Sequence, residues 1–256
     1  TKGTKEGLFE TVTEKEIPNL ALLTDGAKEV FLNGGGIPFS INSIAIVYDK
    51  EKLGREIKDW SDLWSEDLKG KVAIPDITTT GGPLFLSVAA DKGGKALKDD
   101  KGEAAFKALE ELKPNIVKTY SKSSDLANMF QAGEVTVAVV VDFAIPTVKK
   151  ANSNVVSVVP ESGTYANYNT VNIVKNAKNK ENAYKYVNFR ISTENQTVKA
   201  KSLSEAPVNK DVKLADNEVK TMTYGDVAKR AKTVDFKLVN ENLKAWIDQW
   251  NKILNQ

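Results

Sequence analysis

The chain of 256 residues contains no cysteine and no histidine. Without cysteine it has no disulfide, no thiolate nucleophile and no cysteine-ligated zinc. Without histidine it lacks the most common general base and metal ligand, and every Ser-His-Asp arrangement. The remaining candidates for catalysis are Asp76, Asp142, Tyr165 and Tyr168, and none has an activating partner in the sequence. We therefore expect a protein that is not an enzyme and that holds no cofactor and no metal.

Long hydrophobic runs and an excess of charge are also missing. The longest apolar stretch, residues 135–141, is far shorter than the roughly 20 residues of a membrane-spanning helix. Lysine and arginine (36) nearly balance aspartate and glutamate (34), and the lysines are spread along the chain. We therefore expect no nucleic-acid partner. With 41% hydrophobic residues, the chain can bury a substantial core.

Candidate strands and helices alternate along the chain. Apolar and β-branched runs predict strands at residues 37–48, 71–74, 135–141, 155–159 and 170–174. Helical spacing predicts helices at residues 60–68, 83–90, 103–113, 124–131, 180–192 and 240–254. The last helix, with Asn240 as its cap, carries an apolar stripe that is typical of core packing: Leu243, Trp246, Ile247, Trp250 and Leu254. Strands separated by helices favour an α/β fold with mostly parallel sheets.

The segment 71–90 joins a strand to a helix through a loop rich in hydroxyl groups and glycine. Pro83 suits the first turn of a helix, so free backbone N–H groups are expected to point outward from the residues before it. A loop of this kind can hold an anion or a polar ligand, and it can equally be a capped helix start that binds nothing. The candidate ligand residues here are Asp76, Thr78, Thr79, Thr80, Gly81 and Gly82.

Two other segments follow predicted strands and offer ligand groups. Asp142 comes directly after the strand 135–141, where its carboxylate could meet an ammonium group, cap the next turn or pair with Lys149 or Lys150. The segment 163–169 offers aromatic rings and amides, although a surface turn would have the same composition. Its candidate ligand residues are Tyr165, Asn167, Tyr168 and Asn169.

Several segments, in order over nearly the whole chain, resemble the solute-binding proteins of ABC importers, and most of all their spermidine/putrescine-binding branch. They include GIPFSINSIAIVYDKEKLG, DWSDLWSEDLKGKVAIPDITTTGGPLF, FQAGEVTVAVVVDFAIP and GTYANYNTVNIVKNAKNKENAYKYVNF. The resemblance implies a two-lobe fold of the periplasmic-binding-protein type II kind, with crossover strands and a solute held in the cleft. The first of these segments adds Ser40, Asn42 and Ser43 to the candidate ligand residues.

The implied lobes are residues 1–49 with 166–214 and residues 50–165 with 215–256. Family members normally begin with about three further βα units, so the resemblance predicts that the first lobe is incomplete. It also implies a small-molecule solute, an ABC permease as partner and a periplasmic or extracellular location, with a lipid anchor on an absent leader left open. We expect a monomer.

The ligand class follows from two departures from the polyamine-binding pattern. Residues 77–82 supply no carboxylate beyond Asp76, and the segment 163–169 has no tryptophan. A polycation needs several carboxylates and aromatic faces. The sequence therefore favours a small polar solute with amino and anionic groups, with a polyamine as the alternative and ferric iron as a poorer fit. A sensor module or an enzyme on the same fold are the competing functions.

Overall fold

Helices and strands alternate along the computed structural model, which describes residues 2–219 and 221–254. Its strands are β1 (Ile37–Asp49), β2 (Val72–Pro75), β3 (Ile116–Tyr120), β4 (Val137–Val141), β5 (Val155–Val158), β6 (Thr164–Val171) and β7 (Ala231–Thr233). Its helices are α1 (Lys2–Lys5), α2 (Asp25–Leu32), α3 (Lys50–Leu53), α4 (Gly81–Gly93), α5 (Leu97–Asp100), α6 (Glu103–Leu112), α7 (Ser123–Gln131), α8 (Ile145–Ala151), α9 (Lys180–Arg190), α10 (Thr193–Leu203), α11 (Asp216–Val219), α12 (Asp226–Arg230) and α13 (Phe236–Leu254). Short 3-10 turns cover Pro18–Leu22, Trp60–Trp64, Glu66–Leu68, Lys113–Asn115 and Asp142–Ala144.

The segment 163–174 departs from its prediction. Residues 164–169 are strand, as the first part of β6, whereas the strand predicted at 170–174 ends at Val171. Thr164 and Ala166 pair in parallel with Ala231 and Thr233 of β7. Pairing with a strand so distant in sequence overrides the local turn preference of glycine and asparagine. A second correction concerns α13, which begins at Phe236, so Asn240 lies inside the helix and does not cap it.

The chain forms two compact units. Unit 1 contains residues 1–42 and 168–224, and unit 2 contains residues 43–167 and 225–256. The chain passes from one unit to the other at 42/43 within β1, at 167/168 within β6 and at 224/225. The division predicted from the sequence places these passages at 49/50, 165/166 and 214/215.

The sheet of unit 2 has a mixed order, β3-β2-β4-β1-β6-β7, with β5 paired to β1. β2 is parallel to both β3 and β4, and β6 is parallel to β7. β1 is the antiparallel element, paired with β4 and β5. The predicted α/β fold with mostly parallel strands is confirmed, and β1 is the antiparallel exception.

Side chains that alternate along β1 and β4 fill two cores, one on each face of the sheet of unit 2. Ile44, Ile46 and Val139 pack with α4, α6 and α13 on one face. Ala45 and Val140 pack with α7 and α8 on the other. Since successive residues of a strand face opposite sides, a continuous apolar run is what a sheet covered by helices on both faces requires.

Unit 1 contains the first part of β1, the end of β6 and helices α2, α9 and α10. The buried amide of Gln196 on α10 connects these elements. Its Nε2 donates to the carbonyl of Phe39 at 2.7 Å, and its Oε1 accepts from the N–H groups of Val208 (2.9 Å) and Asn209 (3.0 Å). One side chain thereby satisfies three backbone groups and holds α10 against β1.

Candidate functional site

Polar residues from three strands converge at one edge of the unit 2 sheet. Because β2 and β4 are parallel neighbours, their carboxyl ends reach the same edge. The loop 76–80 follows β2, and Asp142 follows β4. On the antiparallel β1, Ile44 pairs with Val141, so Ser43 also lies at this edge. The structure therefore brings together the candidate residues of the loop, Asp142 and Ser43, within unit 2.

The loop before α4 is held by its own hydrogen bonds. Oδ1 of Asp76 accepts from the Thr78 N–H (2.9 Å) and from the Thr78 hydroxyl (2.5 Å). The carbonyl of Asp76 accepts from the Thr79 hydroxyl at 2.7 Å and from the Thr79 N–H at 3.0 Å. The Gly82 N–H donates to the carbonyl of Thr79 at 3.3 Å. The expectation that residues 78–82 all present free N–H groups is therefore wrong, because the N–H groups of Thr78, Thr79 and Gly82 close the loop.

The two glycines that open α4 allow this loop to pack closely. A Cβ on Gly82 would lie 2.4 Å from the carbonyl oxygen of Asp76, and one on Gly81 would lie 2.9 Å from Cβ of Pro75 and 3.1 Å from Cγ2 of Val141. Both glycines are buried. They place the start of α4 against the ends of β2 and β4, while Thr80, which is exposed, does not cap the helix with its side chain.

Asp142 is the buried carboxyl group of this edge, with 3% of its surface exposed. Its Oδ1 accepts from the N–H of Phe143 at 2.8 Å within the 3-10 turn Asp142–Ala144. Asp142 is the first residue of this turn and not its cap, because the cap position is Val141 and no side chain caps the turn. A carboxylate at this position can in addition attract an ammonium group through its charge.

The candidate residues of β6 separate into different surroundings. The hydroxyl of Tyr165 donates to Oδ1 of Asp91 at 2.9 Å. Asp91 lies on α4 ten residues after Gly81, which is about 15 Å along a helix. Tyr165 is therefore remote from the loop 76–80. Asn167, two residues further along β6, is buried.

The remaining candidates form a polar cluster in unit 1. Nδ2 of Asn169 donates to Oγ of Ser40 at 2.8 Å and to Oδ1 of Asn42 at 2.6 Å. Ser40 and Asn42 alternate along β1 and are both buried. Tyr168 points toward α2, where its hydroxyl lies 2.4 Å from the position of a Cβ on Gly26. The sequence contains no local signal for this cluster, because its members come from two strands that are distant in the chain.

The titration of the tyrosines argues against a nucleophilic site. Burial raises the pKa of Tyr168, and the negative charge of Glu29 raises it further. Burial and the hydrogen bond to Asp91 also raise the pKa of Tyr165. Both phenols stay protonated at neutral pH, whereas an activated nucleophile needs the opposite shift. The two tyrosines can donate and accept hydrogen bonds but are not activated as nucleophiles.

Within residues 2–219 and 221–254, no three or more aspartate or glutamate side chains lie close enough to hold a metal ion. Over the same ranges, none of the helices combines the length and apolar character needed to cross a membrane.

Comparison with known proteins gives a consistent result. The family described as bacterial extracellular solute-binding protein matches residues 2–223. A crystal structure of an ABC transporter from Clostridium perfringens ATCC 13124 is 51% identical, with a TM-score of 0.90, and the match covers 99% of this chain and 80% of that one.

Two characterised relatives are more distant. The spermidine/putrescine-binding periplasmic protein of Escherichia coli (strain K12) is 27% identical over 190 residues, which are 72% of this chain and 53% of that protein. The gamma-aminobutyric acid-binding protein of Pseudomonas aeruginosa is 27% identical over 214 residues, which are 82% of this chain and 59% of that protein. The chain thus spans little more than half the length of these relatives.

Proposed function

Because the chain belongs to the family of bacterial extracellular solute-binding proteins, we propose that it captures a small polar solute outside the cytoplasm for an ABC importer. Its partners are then the solute and a membrane permease. A binding role agrees with the lack of histidine and cysteine and with tyrosines whose pKa values are raised. On this proposal the solute leaves the protein chemically unchanged, which NMR of the solute after incubation tests. The protein acts as a monomer and does not bind nucleic acid.

The sheet edge of unit 2 carries the proposal for the ligand class. The buried carboxyl group of Asp142 suits an ammonium group, and the positive end of the α4 dipole, beside the exposed Thr80, suits an anionic or polar end. A solute with both kinds of group, such as an amino acid, fits these neighbours. The relative from Pseudomonas aeruginosa is named for such a compound, gamma-aminobutyric acid.

In unit 2 we propose as solute contacts Ser43, Asp76, Thr78, Thr79, Thr80, Gly81, Gly82, Asp142 and Asn167. The candidate residues of unit 1, Ser40, Asn42, Tyr168 and Asn169, stay predictions from the sequence. Tyr165 is left out, because its partner Asp91 lies about 15 Å along α4 from the loop 76–80. The two compact units correspond, on this proposal, to the two lobes of the binding-protein fold.

A polyamine is the second candidate, since the relative from Escherichia coli is named for spermidine and putrescine. Polyamines carry no anionic end, so only an amino acid would place an anionic group at the start of α4. Binding of spermidine or putrescine without binding of amino acids would replace the first proposal with the second.

Thermal unfolding with a panel of amino acids, aminophosphonates and polyamines tests both candidates. A solute at about 1,000 times its Kd stabilises the fold by about 4 kcal/mol, which raises the Tm clearly. Asp142→Asn is expected to abolish the rise caused by an amino-acid hit. The control is Asp125→Asn, which changes an exposed carboxylate of α7 and is expected to leave the rise unchanged. Full stabilisation of Asp142→Asn would contradict the assignment of the ammonium partner.

A further inference from the structure

A pocket of about 310 Å³ lies within unit 2, away from the sheet edge described above. It is lined by the 3-10 turn Trp60–Trp64, the last turns of α4, the segment that enters β6, and β7. Its walls combine aromatic rings, from Trp60, Trp64 and Tyr165, with the carboxylate of Asp91. Aromatic faces beside a carboxylate are the surroundings that organic cations prefer. We call it the aromatic pocket.

The aromatic rings of this pocket are held in fixed positions. Nε1 of Trp60 donates to the carbonyl of Gly163 at 2.8 Å, and Nε1 of Trp64 donates to the carbonyl of Ala108 at 2.8 Å. The Trp64 ring also stacks on Phe85, with ring centroids 6.5 Å apart. Both indole N–H groups are used inside the protein, so what the tryptophans present to the pocket is ring surface.

Two ammonium groups of the chain already occupy the aromatic faces. Nζ of Lys92 lies 5.6 Å from the centroid of the Trp64 ring, and Nζ of Lys232 lies 5.3 Å from the centroid of the Tyr165 ring. The second ammonium also lies 3.2 Å from Oδ2 of Asp91, whose Oδ1 accepts from the Tyr165 hydroxyl. Asp91 and Tyr165 therefore form a preformed site for an ammonium group, composed of one ring face and one carboxylate. We call this site the seat.

The lysine in this seat is easily displaced. The side chains of Lys232 and Asp91 are 58% and 51% exposed. An ion pair at such exposure contributes little to stability, and a lysine side chain gains rotamer freedom when it is released. An external cation can therefore take the seat while Lys232 swings into solvent.

From these contacts we propose that the aromatic pocket is a second binding site, which takes small organic ammonium ions and is gated by Lys232. The ligand places its charged nitrogen on the Tyr165 ring beside Asp91. This proposal does not depend on the solute-binding role, because its residues are different.

The test uses tetramethylammonium as the probe and the indole Nε1 resonances of the ¹⁵N-labelled whole chain as the readout. The four tryptophans provide an internal comparison: Trp60 and Trp64 line the pocket, whereas Trp246 and Trp250 belong to α13 and are buried in the core. We expect the probe to shift the first pair of resonances and leave the second pair unchanged. A chloride salt of the same ionic strength controls for salt effects.

Variants of the seat should change the affinity for the probe in opposite directions. Lys232→Met removes the internal competitor and should tighten binding about threefold to fivefold, in keeping with the weakness of exposed ion pairs. Asp91→Asn should weaken binding in either background, and Tyr165→Leu should do so while Tyr165→Phe, which keeps the ring, should not. The matched control is Lys229→Met, because Lys229 makes an even more exposed pair with Asp226 but contacts no aromatic ring in the described part of the chain.

Three results would overturn the proposal: no shift of the Trp60 and Trp64 resonances in either the unaltered chain or Lys232→Met, equal shifts of all four resonances, or equal affinity of Lys232→Met and Lys229→Met. A loss of solute binding at the sheet edge would not change the outcome of this test. Conversely, Asp142→Asn should bind the probe like the unaltered chain.

Discussion

Gly82 shows at the scale of one residue how closely the loop packs on the helix that follows it. A Cβ at this position would lie 2.4 Å from the carbonyl oxygen of Asp76 and 2.4 Å from Cα of Ile77. Both obstacles are backbone atoms, which cannot rotate away as a flexible side chain would. The glycine is therefore required by packing, whatever the loop binds.

We predict that Gly82→Ala lowers the free energy of unfolding by about 3 kcal/mol, near the upper end for overpacked sites. The matched control is Gly94→Ala at the other end of α4. Gly94 has a φ of 75° with open space around it, so that change costs only about 1 kcal/mol of backbone strain. Urea unfolding of both variants measures the difference. If Gly94→Ala were the less stable protein, the close approach at Gly82 would be refuted.

Asp59, again at the scale of one residue, makes a pH-dependent contribution to the stability of the fold. The hydroxyl of Ser162 donates to its carboxylate at 2.7 Å and, with the N–H and hydroxyl of Ser61, holds its pKa below the ordinary value of 3.8. A carboxyl group with a lowered folded-state pKa stabilises the protein above its unfolded pKa. This stabilisation is lost as the pH falls through the folded pKa.

We predict that Asp59→Asn is less stable than the unaltered chain at neutral pH, by less than about 1 kcal/mol because the group is partly exposed. The difference should disappear at a pH below the folded pKa of Asp59, where the carboxyl group is protonated in both states. Urea unfolding at several pH values checks this. A difference that stays constant down to that acid limit would show that the charge of Asp59 is not involved.

At the scale of the element, α13 depends on its aromatic stripe. Trp246 and Trp250 are each 1% exposed and pack into the core that α4 and α6 share with the sheet. Nε1 of Trp246 also donates to the carbonyl of Lys101 at 2.7 Å, so its polar atom is satisfied where the ring is buried. The stripe predicted from the sequence is confirmed as core.

We predict that Trp250→Ala lowers the free energy of unfolding by about 3–5 kcal/mol, the usual cost of removing a buried tryptophan. Gln249→Ala changes the neighbouring exposed residue of the same helix and should alter stability by less than about 0.5 kcal/mol. Chemical denaturation of the two variants provides the measurement. Similar losses in both would mean that helix propensity, and not burial, dominates at this position.

At the scale of the whole molecule, unit 2 is assembled from two separate stretches of the chain. Residues 225–256 contribute β7 to the sheet and α13 to a core whose other buried members lie between residues 44 and 141. The first stretch by itself would expose the apolar surface of α6 and of the sheet that α13 covers. Residues 43–167 therefore need residues 225–256 to complete the core of unit 2.

We predict that a fragment of residues 43–167 does not fold cooperatively. The same fragment joined to residues 225–256 by a glycine–serine linker should fold, because it contains every member of the core. Circular dichroism melts of the two proteins distinguish them. Cooperative unfolding of the shorter fragment would show that α13 is dispensable to this core.

Local patterns in the sequence determined several features of the protein. The apolar runs of β1 and β4 predicted buried strands, and the stripe of α13 predicted a core helix, because spacing along one segment is enough to define which face is buried. The lack of histidine and cysteine excluded the chemistry of these two side chains. The order of resemblances along the chain indicated the family.

Features that depend on contacts between distant parts of the chain were decided only by the tertiary structure. Residues 164–166 form a strand because they pair with β7, although their sequence favours a turn. The contacts of Tyr165 with Asp91 and Lys232 place it in the aromatic pocket, apart from the loop at the start of α4. The hydrogen bonds that close this loop, and the cluster of Ser40, Asn42 and Asn169, are decided in the same way. Such contacts leave no periodic signal in either partner segment, because each depends on the position of a side chain that only the folded backbone provides.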